Sequence, residues 1–190
     1  EYLRPIIMNT TDFLNNDRKE ILGWMTYDWA NSAFFTTVVG VLIGPYLISL
    51  AQKAVGEDGV ILDLFFFNVT PKGLPAFYIA LSVISMVLLL PVLGAIADYT
   101  HLKKRMMAFF CYLGVVSSAL LFFVTDSYLA CSILLVVSNM SFAAANVFYN
   151  AFLIDITTED KRDRTSMYGY ALGYIFCVLL LVGNIIIIDN

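Results

Sequence analysis

An all-α fold, a polytopic membrane helix bundle of about five transmembrane helices, is predicted by three observations on this chain. Of its 190 residues 60% are hydrophobic and only 14% charged, and the mean hydropathy is +0.81. That is more apolar surface than a soluble domain of this length buries, so lipid is the expected solvent. Several apolar runs reach the roughly 20 residues needed to cross the hydrocarbon core. The cations, finally, are sorted between alternate loops. Barrel strands would alternate apolar and polar residues, whereas these runs are continuous, and helices satisfy their own backbone groups inside lipid.

Residues 1–20 form the expected cytoplasmic N-terminal segment, in which Asp12 to Glu20 resembles an amphipathic entry to the membrane. No short apolar stretch with a small-residue cleavage site follows, so no removable signal peptide is expected. The membrane domain then takes residues 21–190, with helices near Ile21 to Leu50, Ala76 to Ala97, Met106 to Val124, Tyr128 to Ile154 and Met167 to Ile188. The connectors Asp98 to Arg105 and Thr125 to Ser127 are short enough to force antiparallel hairpins. The longest loop, Ala51 to Pro75, carries an apolar piece, Ile61 to Val69, too short to cross. It is expected to lie along the interface or to fold back onto the helices.

Arg4, Arg18, Lys19, Lys103, Lys104, Arg105, Lys161, Arg162 and Arg164 fall on one side of the spans, and Lys53 and Lys72 on the other. Positive charge is retained inside during insertion, which places the N-terminus in the cytoplasm and Asn190 outside.

Composition also excludes classes of function. A formal net charge of −4 without any Lys/Arg block offers no footprint for nucleic acid. Cys111, Cys131 and Cys177 lack the close spacing of a zinc or redox pair and read as buried free thiols. His101 is a lone histidine in a loop, so neither metal nor other cofactor is expected. The chain has no H-E-x-x-H, nucleophile elbow or paired intramembrane carboxylates, so no catalytic residue is assigned and no enzyme is expected.

Polar groups inside a bilayer are costly and usually face protein or a water-filled path. The first span carries Tyr27-Asp28-Trp29-Ala30-Asn31-Ser32, and the helical repeat sets Asp28, Asn31 and Ser32 on one face. Asp28 is the one acid placed within a span rather than at its end. It is either a contact for a substrate or coupling ion near the inner end of a path, or a carboxylate satisfied by the interface, where Tyr27 and Trp29 would serve as belt aromatics. In the fourth span Asn139, Ala143, Asn146 and Asn150 recur along one stripe. These carboxamides either bind a polar substrate or hydrogen-bond to a neighbouring helix. Gly40-x-x-x-Gly44 and Gly169-x-x-x-Gly173 allow close helix approach, and Pro45 and Pro91 are candidates for bends.

The second span ends in Gly94-Ala95-Ile96-Ala97-Asp98, followed by Lys103-Lys104-Arg105. A carboxylate at a helix C-terminus opposes the helix dipole and needs another partner. Here the chain resembles the major facilitator superfamily, whose members carry Gly-x-x-x-Asp and then basic residues between their second and third helices. Gly94, Asp98, Lys103 and Lys104 match that pattern, while Tyr99 stands where a basic residue is usual and His101 where glycine is usual. The stretch YDWANSAFFTTVVGVLIGPYL from Tyr27 to Leu47 is similar to the first helix of the UMF1 branch, the group containing the fungal vacuolar amino-acid effluxer of autophagy. VFYNAFLIDI from Val147 to Ile156 and SMYGYALGYI from Ser166 to Ile175 agree with that branch as well.

The resemblance implies a twelve-helix transporter of two six-helix halves that rock about a central site, with no reaction catalysed. This chain would be an incomplete N-terminal half of that fold, moving a small polar solute such as an amino acid by alternating access. A missing C-terminal half or a partner subunit would then complete it. On this reading Asp28, Asn31, Asn139, Asn146 and Asn150 line the substrate pathway, and Gly94, Asp98, Lys103 and Lys104 form the cytoplasmic gate. The expected location is the bacterial inner (plasma) membrane. An alternative is a non-transporting five-helix subunit that packs in a larger complex.

Overall fold

The computed structural model describes residues 16–99 and 102–188. His101, Arg4, residues 1–15 and Asn190 therefore lie outside the described residues, as does the side chain of Tyr99. Among the described residues five helical spans are long and apolar enough to cross a membrane: Arg18–Val55, Pro71–Asp98, Lys103–Leu121, Tyr128–Ile156 and Glu159–Ile188. The chain is an integral membrane protein of all-α architecture.

The first span is one continuous helix in three parts. Helix α1 (Arg18–Ala33) opens on Asp17, whose side chain accepts from the Lys19 amide at 2.9 Å. That carboxylate satisfies one of the free donors at a helix N-terminus and complements its dipole. A π-helical segment, Phe34–Leu42, follows, and α2 (Ile43–Val55) completes the crossing. Such wide turns persist only where surroundings hold them. Here Thr36 donates to Cys177 Sγ, and Asn184 Nδ2 donates to Thr37 Oγ1 at 3.1 Å, so the last helix pins the wide turns from the side. Pro45, which has no N–H to give, sits just past the point where ordinary α-helical bonding resumes.

Gly56 ends α2 with φ +85°, a left-handed conformation that glycine adopts without a Cβ penalty. A Cβ on Gly59 would stand 2.1 Å from the Val55 carbonyl oxygen, so this turn admits glycine alone. The loop beyond is a small antiparallel hairpin, β1 (Leu62–Leu64) and β2 (Phe67–Val69), in register Leu62↔Val69, Asp63↔Asn68 and Leu64↔Phe67. The apolar piece thus folds back on the helices at its base, where Val69 is buried, while its tip stands free. Period-two alternation over so few residues is a weak signal for a strand, which is why the pairing was not legible beforehand.

Helices α3 (Leu74–Tyr99), α4 (Lys103–Leu121), α5 (Tyr128–Ile156) and α6 (Glu159–Ile188) follow. The last begins eight residues ahead of its apolar run because Glu159 and Asp160 occupy its first turn, where acids oppose the exposed N–H groups. Helix α5 is central: it packs closely on α4 and α3, while α1 packs chiefly on α6.

Both ends of the bundle are tied. At the basic end Asn16 N–H donates to the Ile156 carbonyl at 2.8 Å, Asn16 exchanges side-chain bonds with Thr158, and Lys103 Nζ meets Asp155 at 2.7 Å. At the other end the Tyr46 hydroxyl donates to the Val124 carbonyl, beside a core of Ile43, Leu47, Leu50, Leu74, Leu121 and Leu135.

Candidate functional site

Halfway through the bundle the polar residues of α1 and α5 meet. Asn31 Nδ2 donates to Asn146 Oδ1 at 3.0 Å, a side-chain bond between α1 and α5 beyond their aromatic contacts around Tyr149. Around this bond a cavity of about 390 Å³ opens between α1, α5 and α6, lined by Asp28, Asn31, Ser32, Asn146, Asn150 and Tyr149, with Phe35 and Phe142 above and Tyr170, Gly173, Tyr174 and Cys177 on the α6 wall. Among the described residues no lysine or arginine lines it, and Asp28 is its one acidic residue. Ser32 bonds back to the Asp28 carbonyl at 2.8 Å, leaving the carboxylate itself available to the cavity.

Asn139 is placed elsewhere. Its carboxamide donates to Ser82 of α3, a helix-to-helix bond away from the cavity, although it shares a sequence stripe with Asn146 and Asn150. Eleven steps of roughly 100° bring Asn150 back to within about 20° of Asn139 but about 16 Å along the axis, so the stripe keeps its face while its two ends reach different neighbours.

Close approach of α1 and α6 is what shapes the cavity. A Cβ on Gly169 would lie 2.5 Å from Trp24 Cζ3, and one on Gly173 would lie 2.9 Å from Asp28 Oδ2 and 3.0 Å from Ser32 Oγ. The second small-residue pair differs: around Gly44 a Cβ meets nothing within 4 Å, and Gly40 faces only the Phe35 carbonyl of its own helix. Gly169→Ala and Gly173→Ala are therefore expected to destabilise the full-length protein by about 1–3 kcal/mol each through overpacking. Gly44→Ala is expected to leave the denaturation midpoint in detergent unchanged. Equal midpoints for all three variants would contradict this account of the α1–α6 seam.

The α6 wall was not anticipated, yet its signal is present. Tyr170, Gly173, Tyr174 and Cys177 stand at intervals of three, one and three, which is a single helical face. Tyr149 was hidden as an aromatic between two asparagines; its ring stacks on Trp24 at 4.4 Å and on Tyr27 at 5.1 Å.

Residues of the basic end are arranged differently from the pathway residues. Lys103 pairs with Asp155 at the end of α5, the one ion pair among the described residues, and Asp98 is exposed at the end of α3. Lys104 borders a small recess with Trp24, Tyr27 and Tyr149, and a Cβ on Gly94 would meet open space.

Fold and cavity together define a polytopic helical membrane protein with a cavity between α1, α5 and α6 into which several polar side chains converge. Residues 16–164 match the family described as vacuole effluxer Atg22 like, and the chain belongs to that family, within the major facilitator type of transporters. It is 35% identical over 171 residues, 90% of this chain, to the uncharacterized MFS-type transporter YxiO of Bacillus subtilis. It is also 25% identical over 155 residues to autophagy-related protein 22 of Gibberella zeae, and 26% identical over 162 residues to that of Pyricularia oryzae, about 72% and 71% of this chain. The chain spans 38% of the length of the Bacillus relative and about 24% and 23% of the fungal ones. No solved structure matches it.

Proposed function

We propose that this chain forms one side of the solute path of a secondary transporter, which moves a small polar solute, an amino acid, by alternating access. The observation that carries the reading is the convergence of Asp28, Asn31, Asn146 and Asn150 on one cavity inside a membrane bundle. Polar groups at that depth cost free energy unless they serve a buried partner or a water-filled path. One carboxylate among carboxamides and tyrosines, with no cation among the described residues of the lining, suits a solute that presents an ammonium group and hydrogen-bonding atoms. Asn139 belongs to this path only through its grip on α3, by which it would hold α5 in place.

Gly94, Asp98, Lys103 and Lys104 make up the gate at the basic end in this proposal, and that end faces the cytoplasm of a bacterial cell. Support comes from the cation asymmetry between the two ends, with Lys103 locked to Asp155 across α4 and α5, and from the Bacillus relative. The cavity is only partly enclosed, and a second set of helices, as in relatives more than twice as long, would close it.

The test is counterflow by the full-length protein in liposomes. Labelled amino acids are expected to accumulate in loaded protein-containing vesicles and not in empty ones, with sugars excluded from both. Equal uptake in the two kinds of vesicle across amino acids and sugars would refute the proposal.

A further inference from the structure

We propose that the β1–β2 hairpin is an interfacial anchor whose apolar face and Phe65–Phe66 tip seat in the headgroup–acyl boundary of the leaflet opposite the basic end. The hairpin has two unlike faces. Side chains alternate along a strand, so the pairs Leu62↔Val69 and Leu64↔Phe67 share one face while Asp63↔Asn68 occupies the other. The apolar face is the one pressed on the bundle: Val69 is 4% exposed and, with Leu62, packs on the core formed by the outer ends of α2, α3, α4 and α5. Leu64 and Phe67 continue that same face past the edge of the bundle. Beyond them the turn residues Phe65 and Phe66 are 98% and 91% exposed.

Direction and level both point to lipid. The hairpin joins the end of α2 at Val55 to the start of α3 at Leu74, so it leaves the protein where the spans meet the membrane surface. A face that looks down on helix ends near its base looks down on the bilayer beside those helices near its tip. Aromatic residues concentrate at that boundary, and no charge interrupts Leu64 to Phe67. Asp63 and Asn68 occupy the opposite, exposed face, and Lys72 follows in the turn Pro71–Gly73, where on this proposal it would meet headgroup phosphates. The base is held rather than loose: Ile61 N–H donates to the Val69 carbonyl at 2.9 Å, and Pro71 and Leu74 are fully buried. A rigid amphipathic hairpin presents its rings in one direction, as an anchor requires.

The inference rests on the membrane fold and not on transport, so its failure leaves the proposed function untouched. It is tested with Phe66→Trp and, in parallel, Phe65→Trp in the full-length protein, reconstituted into phosphatidylcholine–phosphatidylglycerol vesicles. Both positions are exposed, so neither change burdens folding. The emission added over the unsubstituted protein is expected to be blue-shifted, and to be quenched more by lipids brominated near the headgroup than by lipids brominated at the chain end. Added emission at the wavelength of water-exposed tryptophan, unquenched by either lipid, would overturn the proposal. So would blue-shifted emission that neither lipid quenches, because the tip would then lie against protein, either the remaining helices or a second copy.

Discussion

Asp28→Asn in the full-length protein is expected to weaken solute binding in counterflow by roughly tenfold to a hundredfold, the equivalent of about 1.5–3 kcal/mol for a lost charge-assisted hydrogen bond. The substitution is nearly isosteric, and the bond that shapes this turn, from Ser32, goes to the Asp28 main-chain carbonyl, which the change leaves in place. Folding should therefore be unaffected, and the loss should read as a raised half-saturation concentration. Asn139→Ala is the informative contrast. Its carboxamide grips Ser82 rather than the cavity, so the expected cost falls on thermal stability while the half-saturation concentration stays near that of the parent. Equal affinity in Asp28→Asn and parent would remove the carboxylate from the solute path. An unchanged pH dependence of transport would remove it from any proton-coupling role as well.

Why Asp28 and Asn139 differ also marks how far the sequence carries. Five membrane-crossing helices follow from run length, a local property, and five helical spans of that kind are present among the described residues. The face shared by Asp28, Asn31 and Ser32 was legible because residues three and four positions apart lie on one side of a helix, and all three border the cavity. The stripe from Asn139 to Asn150 was legible as a stripe, but which neighbour each carboxamide meets depends on how α3 and α1 cross α5, and no local pattern encodes that crossing. The π-helical segment was illegible for the same reason. Its wide turns are held by Cys177 and Asn184 from more than a hundred residues away. Of the two glycine pairs, only the one opposite Trp24 and Asp28 lies in a helix seam, a fact of the partner helix rather than of the spacing.

Trp24→Ala is expected to give a large stability loss, about 3–5 kcal/mol, as for other large-to-small changes at fully packed aromatic positions. The ring is 6% exposed and lies where three elements meet. Tyr149 of α5 stacks on it at 4.4 Å, the flat backbone at Gly169 of α6 admits its edge, and its Nε1–H donates to the Tyr149 carbonyl at 3.0 Å. Lipid is as apolar as the protein interior, so burial contributes little to helix association here; the many close atomic contacts and the hydrogen bond carry it. Truncation removes those contacts and leaves a void that Gly169, having no side chain, cannot fill. Trp24→Phe keeps a ring against Tyr149 and gives up the N–H donor, so its expected cost is the smaller 0.5–1.5 kcal/mol or about that of one hydrogen bond. Denaturation midpoints of the purified full-length protein in a mild detergent decide the matter: the order parent, Trp24→Phe, Trp24→Ala supports a packed three-helix junction. A midpoint for Trp24→Ala equal to that of the parent would mean that the seam between α1 and α6, and with it the wall of the cavity beside Asp28, does not depend on this ring.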